Sequence, residues 1–145
     1  MGDRVCRGCK RFAHEVIDWN RYTHAQKSAV DSRLQQLLTQ VVQSYVAVVD
    51  GELLQRQIAR HKIASAAHRN LHCRAYDLLR AGASQMLRLQ DFGLQARYDV
   101  NKRSATQLKE AIDADFRVLS EAYYQRYFGV AERVAERVYV RCQNR

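Results

Sequence analysis

Apolar residues return at three- and four-residue steps along most of this chain, which is the period of an amphipathic α-helix. The clearest run lies between His24 and about Asp50, where Val30, Leu34, Leu37, Leu38, Val41, Val42, Tyr45, Val46 and Val49 share one face. Ahead of it, Phe12, Val16, Ile17 and Trp19 form an apolar cluster that predicts a first helix. Thr23, with Gln26 three residues on, has the spacing of a capping box for the next. Asp50-Gly51 interrupts the long run, and Leu53, Leu54 and Ile58 open another stripe. A loosely patterned connection near residues 60–70 leads to a helix carrying Leu71, Tyr76, Leu78 and Leu79 and ending near Ala81-Gly82.

Residues 83–103 read as irregular, because Gly93, Asp99 and Asn101 break the apolar pattern of Met86, Leu87, Leu89, Phe92 and Leu94. Ser104 and Gln107 repeat the capping pattern, and Leu108, Ile112, Phe116, Leu119, Tyr123, Tyr127, Val130, Val134 and Val138 follow as one stripe. A continuous helix there would approach about 38 residues and about 57 Å. That exceeds what a domain of this size can bury, so part of it projects or pairs. Gly129 is the natural place for a break, since glycine costs about 1 kcal/mol inside a helix.

The expected fold is therefore all-α: a short Cys-containing N-terminal knuckle, then a small helical bundle with a long C-terminal helix. Residues 1–94 form the knuckle and helical domain, and residues 95–145 a loop and amphipathic helix packed on it. The absence of proline among 145 residues supports long helices joined by short polar loops.

Charge adds a second expectation. A formal net charge of +9 and a pI near 9.7 create a field that attracts polyanions. Arg56, Arg60, Lys62, Arg69 and Arg74 concentrate it in the middle of the chain, making nucleic acid or an acidic protein the partner class that this charge admits. No apolar run is long enough to span a bilayer, and the N-terminus has no apolar signal core, so a cytoplasmic protein without membrane insertion is expected. The exposed part of the last helix offers a surface for self-association.

A reducing compartment changes how the four cysteines read. Cys6-Arg7-Gly8-Cys9 places two thiols so that a tight turn can bring both to one side of a metal ion. Arg4, Arg7, Lys10 and Arg11 surround the pair and favour thiolate. Two cysteines make half a site. Cys73 is the first choice for a third ligand and His72 a candidate fourth, with His68, His61, His14 or a second chain as other sources, while Cys142 reads as a bystander. A thiol oxidoreductase is a further reading of the pair, although no strand precedes it as a thioredoxin-like unit requires. There is no nucleophile elbow, phosphate-cradling glycine loop or paired acidic motif, so an accessory or regulatory factor is expected over an enzyme. Glu15 and Asp18 read as salt-bridge partners.

The run Cys6-Arg-Gly-Cys9-Lys-Arg-Phe-Ala-His-Glu15-Val-Ile-Asp-Trp19, continuing through Gln26-Lys27 into a helix, resembles the YdhL-type family. These are small proteobacterial proteins of unknown function predicted to hold an iron–sulfur centre, and the likeness extends over residues 5–45. It implies an Fe–S cluster, whereas the ligand set identifiable on this chain, two or three Cys with a His, points to zinc somewhat ahead of a cluster. Members of that family usually carry two further cysteines upstream of the CxGC pair; either this start is truncated or other ligands replace them. Leu71-His72-Cys73-Arg74-Ala75-Tyr76 and Leu79-Arg80-Ala81-Gly82 are similar to a segment of longer relatives, which implies Cys73 as the third ligand.

Overall fold

The computed structural model describes residues 3–97 and 103–143. Among them six helices dominate: α1 (Ala13–Asp18), α2 (His24–Tyr45), α3 (Gly51–Arg60), α4 (Leu71–Gly82), α5 (Ala105–Tyr127) and α6 (Gly129–Gln143). The all-α expectation holds, with one small addition. Val46–Val48 (β1) and Leu94–Ala96 (β2) pair antiparallel, Val46 opposite Ala96 and Val48 opposite Leu94.

Local chemistry sets most of the boundaries. The Thr23 hydroxyl accepts from the Gln26 N–H at 3.2 Å and the Gln26 side chain accepts from the Thr23 N–H at 2.8 Å, so α2 starts as its capping pair predicts. Asp50 caps α3 through the Leu53 N–H, and Asn70 caps α4 through the Cys73 N–H. Ser104 and Gln107 close a reciprocal cap on α5.

The long apolar run does not stay helical to Asp50. It leaves α2 at Tyr45 because Gly93, at φ 73°, turns the chain so that its carbonyl accepts the N–H groups of Val49 and Asp50, at 2.9 and 3.2 Å. The β-branched Val46 and Val48 fit that ladder. The C-terminal stripe likewise divides at Phe128, and α6 begins at Gly129.

One core holds the bundle together. Leu37, Leu38, Val41 and Val42 of α2 meet Leu54 and Ile58 of α3, Leu78 and Leu79 of α4, and Leu108, Ile112 and Phe116 of α5. The valines of α6 are outside it: Val130, Val134 and Val138 stay more than half exposed. The apolar cluster expected of the first helix is corrected in the same way. Val16 and Ile17 are exposed, Ile17 at 80%. On the buried side of α1 sits Glu15, fixed by an ion pair, and an ion pair rather than an apolar stripe therefore orients this short helix.

Candidate functional site: the cysteine hairpin and the cleft beside it

Residues 4–13 form a closed hairpin. Val5 and Phe12 bridge antiparallel, the Cys6 N–H donates to the Arg11 carbonyl at 2.8 Å, and the Lys10 N–H returns to the Cys6 carbonyl at 2.9 Å. Lys10 takes the left-handed conformation, φ 60°, that turns the chain back after Cys9. Both thiols belong to this turn and both are partly exposed.

The Cys6 thiol is held below its ordinary value. The Cys9 backbone N–H is the main cause, followed by the Cys9 side chain; burial opposes them, and the Gly8 N–H and the Arg11 charge add to the lowering. The basic surroundings expected to produce this effect contribute less than the neighbouring backbone amides.

Two buried ionic groups anchor the hairpin to the bundle. The Lys10 ammonium, only 2% exposed, donates to the carbonyls of Arg7 and Gly8, at 2.8 and 3.3 Å, and to the Asp113 carboxylate on α5. Asp113 also accepts from the Tyr76 hydroxyl at 2.9 Å. Burial alone would raise the Asp113 carboxyl, but the hydrogen bonds from Lys10 and Tyr76 and the charges of Lys10 and Arg80 hold it low. Glu15 accepts the Phe12 N–H at 2.9 Å and both Arg33 terminal nitrogens, at 2.5 and 2.7 Å. The Arg33 guanidinium in turn lies 4.0 Å from the centre of the Phe12 ring.

The remaining expected ligands lie elsewhere. Cys73 is fully buried in the main core, where its sulfur contacts the Thr39 hydroxyl at 3.5 Å and the Gln35 carbonyl at 3.6 Å. Burial raises its thiol, which suits a neutral core residue better than a thiolate ligand. His72 is half-buried on α4, its imidazole held low by burial and then by the Arg97 charge. Among the described residues no three His, Cys, Asp or Glu side chains are grouped to hold a metal ion, so the expected convergence of Cys73 and His72 on Cys6 and Cys9 does not occur. The Cys142 side chain lies outside the described residues. His14 instead packs edge-on against Phe128 and tilted against Phe12, and His61 lies tilted beside Phe92.

The basic residues of the middle segment divide in two. Arg56, Arg60 and Lys62 are exposed at and just beyond the end of α3, with Arg56 only 3.8 Å from Glu52. Arg69 and Arg74 point inward: Arg69 Nε lies 3.2 Å from Asp77, and Arg74 Nε is enclosed. A continuous five-residue basic face is therefore not formed.

Lys10, Asp113, Arg33 and Tyr76 were missing from the expected site. Lys10 had no local signal, since the residue types that mark positive φ in a sequence are Gly, Asn and Asp. Asp113 and Arg33 had none, because their roles depend on tertiary approach.

The class that fold and site define is a helical bundle bearing a two-cysteine hairpin. The N-terminal part of the chain, residues 1–38, matches a family described as protein of unknown function (DUF1289). That match covers the hairpin, α1 and the first turns of α2. No curated protein and no solved structure matches the chain. Among the described residues no helix is long and apolar enough to cross a membrane.

Proposed function

We propose that this protein is a small metal-binding factor, accessory or regulatory rather than catalytic, in which Cys6 and Cys9 supply two thiolates to a zinc ion or an Fe–S cluster. The observation carrying this reading is the closed hairpin, which sets two partly exposed thiols on one turn; the lowered Cys6 thiol, to which the Cys9 and Gly8 amides contribute, accords with it. Such hydrogen bonds lower the cost of placing thiolates together before a cation neutralises them. Iron–sulfur chemistry is what the YdhL-type resemblance implies; zinc accepts the same two donors, and both ions need further ligands.

The donors on this chain fit half of a four-ligand site. A second copy or exogenous thiolates would complete it, and the uncovered valine face of α6 offers a surface on which two copies could associate. Anaerobic purification with elemental analysis tests the proposal. One zinc ion or one cluster per chain supports exogenous ligands, and one zinc ion or one cluster per two chains supports completion by a second copy, iron and acid-labile sulfide being counted together so that clusters rather than single irons are compared. Metal-free protein whose stability is unchanged by Cys6→Ser overturns it.

Association of nucleic acid or an acidic partner with Arg56, Arg60 and Lys62 is the competing reading, supported by the exposure of those three side chains. It requires salt-sensitive binding that charge reversal of the three abolishes. The thiol oxidoreductase reading requires thiol–disulfide exchange lost in Cys9→Ala. It has less support, because the pair occupies a hairpin ahead of α1 and not a helix N-terminus.

A further inference from the structure

A cleft of about 660 Å³ opens beside the hairpin, between the Gly8–Arg11 turn, α2 and α4. We propose that this cleft binds a small organic anion, a phosphate or carboxylate head carried on an apolar body. The proposal does not depend on the metal reading.

Five cationic side chains line the cleft: Lys10, Arg11, Lys27, Arg69 and Arg80. Two are already engaged, Lys10 by Asp113 and the turn carbonyls and Arg69 by Asp77. Arg11, Lys27 and Arg80 have no carboxylate within 4.0 Å among the described residues. The second aspartate in the lining, Asp31, accepts the Gln35 amide at 2.9 Å and faces His68 at 4.0 Å.

An aromatic ring lies within about 6 Å of each of the three uncommitted cations. Trp19 has the Arg11 guanidinium 4.1 Å and the Lys27 ammonium 5.5 Å from its ring centre, and Tyr76 has Arg80 at 5.9 Å. A π-face fixes a cation without occupying its N–H donors, so these groups are positioned while their hydrogen bonds remain available. Positioned donors lose less side-chain entropy when a ligand arrives. Leu34, Leu38 and Phe116 add an apolar lining. Inorganic phosphate would leave that part wet, whereas a ligand with an apolar body covers it, and the volume suits a small molecule.

Trp19 is the sole tryptophan, so its fluorescence reports on this cleft. The test titrates the full chain with phenyl phosphate, phenylacetate and inorganic phosphate. At least one aryl anion gives a saturable change, and the better head group identifies the ligand chemistry. Lys27→Gln with Arg80→Gln weakens that binding by about tenfold or more, while Arg88→Gln, outside the cleft, leaves it unchanged. Inorganic phosphate binds at least about tenfold more weakly than the better aryl anion. Circular dichroism confirms that the variants are folded, and Lys27→Gln alone replaces the pair if the double variant is not. No saturable change with either aryl anion overturns the proposal, as does unchanged affinity in the folded variants. Equal affinity for inorganic phosphate and the aryl anion overturns the organic-ligand assignment.

Discussion

Arg33 grips Glu15 with both terminal nitrogens while its guanidinium carbon sits 4.0 Å from the centre of the Phe12 ring, joining α2 to the base of the hairpin through one charged contact. Glu15 is 4% exposed, so removing its charge strands Arg33 in the interior. Glu15→Gln should therefore cost roughly 3–5 kcal/mol, the range for breaking one partner of a buried pair. Urea denaturation measures it; a loss below about 1 kcal/mol would place the pair in the weak class of surface salt bridges.

The same carboxyl gives the fold an acid limit. Burial would raise it, but the Arg33 and Phe12 hydrogen bonds and the Arg33 charge leave it below its ordinary value of 4.5. The unfolded chain then takes up the proton more readily than the folded one. This contribution to stability is complete above about pH 4.5 and is lost as pH falls through the lower folded value. Asp113, also depressed, adds a second loss below its ordinary value of 3.8. Denaturation midpoints measured from pH 6 down to about pH 3 should fall in wild type and flatten in Glu15→Gln.

Lys10 combines a strained backbone with a buried anchor, and two substitutions separate them. Lys10→Gly removes the hydrogen bonds to Arg7, Gly8 and Asp113 but accepts φ 60° without strain. Lys10→Ala loses the same bonds and keeps the strain. The alanine variant should be the less stable by about 1 kcal/mol in thermal or urea unfolding. Equal stabilities would mean that the turn relaxes once its anchor is gone.

Gly93 is a backbone requirement. A Cβ there would stand 2.2 Å from the Asp50 carbonyl oxygen and 3.3 Å from the Leu54 nitrogen, at φ 73°. Backbone atoms cannot step aside as a side chain can. Gly93→Ala should cost at least about 2 kcal/mol and separate β1 from β2. Amide exchange at Val49 and Asp50, whose N–H groups donate to the Gly93 carbonyl, reports that separation directly.

These residues also show where sequence pattern stops carrying information. Thr23 with Gln26, Ser104 with Gln107 and the break at Gly129 were legible because a cap or break needs only neighbours. The strand at Val46–Val48 was not, since Val46 continues the helical spacing from Val42 and Leu38; its partner, Leu94–Ala96, decides the matter from far along the chain. The site divides the same way. Cys6 and Cys9 announce a turn by their spacing, whereas Cys73 falls on the core stripe of α4, where cysteine packs as a small apolar side chain. Nothing local distinguishes that role from ligation.

Thiol labelling tests the division between those cysteines. Alkylation proceeds through the thiolate, so rate follows both exposure and ionisation. Cys6 is partly exposed and its thiol is held low by the Cys9 N–H and neighbouring groups. Cys73 has no exposed surface and burial holds its thiol high. Iodoacetamide at neutral pH should therefore modify Cys6 in the folded, metal-free chain while sparing Cys73, as peptide mass mapping resolves. Cys73 should label only through the opened chain, at a rate set by the population of that state, and so faster in urea and in Glu15→Gln. If zinc occupies the hairpin, its addition slows Cys6 and Cys9 labelling and leaves Cys73 untouched except through added stability. Protection of all three at once beyond what added stability accounts for would instead place Cys73 at the metal, contrary to its position among Thr39, Gln35 and the core.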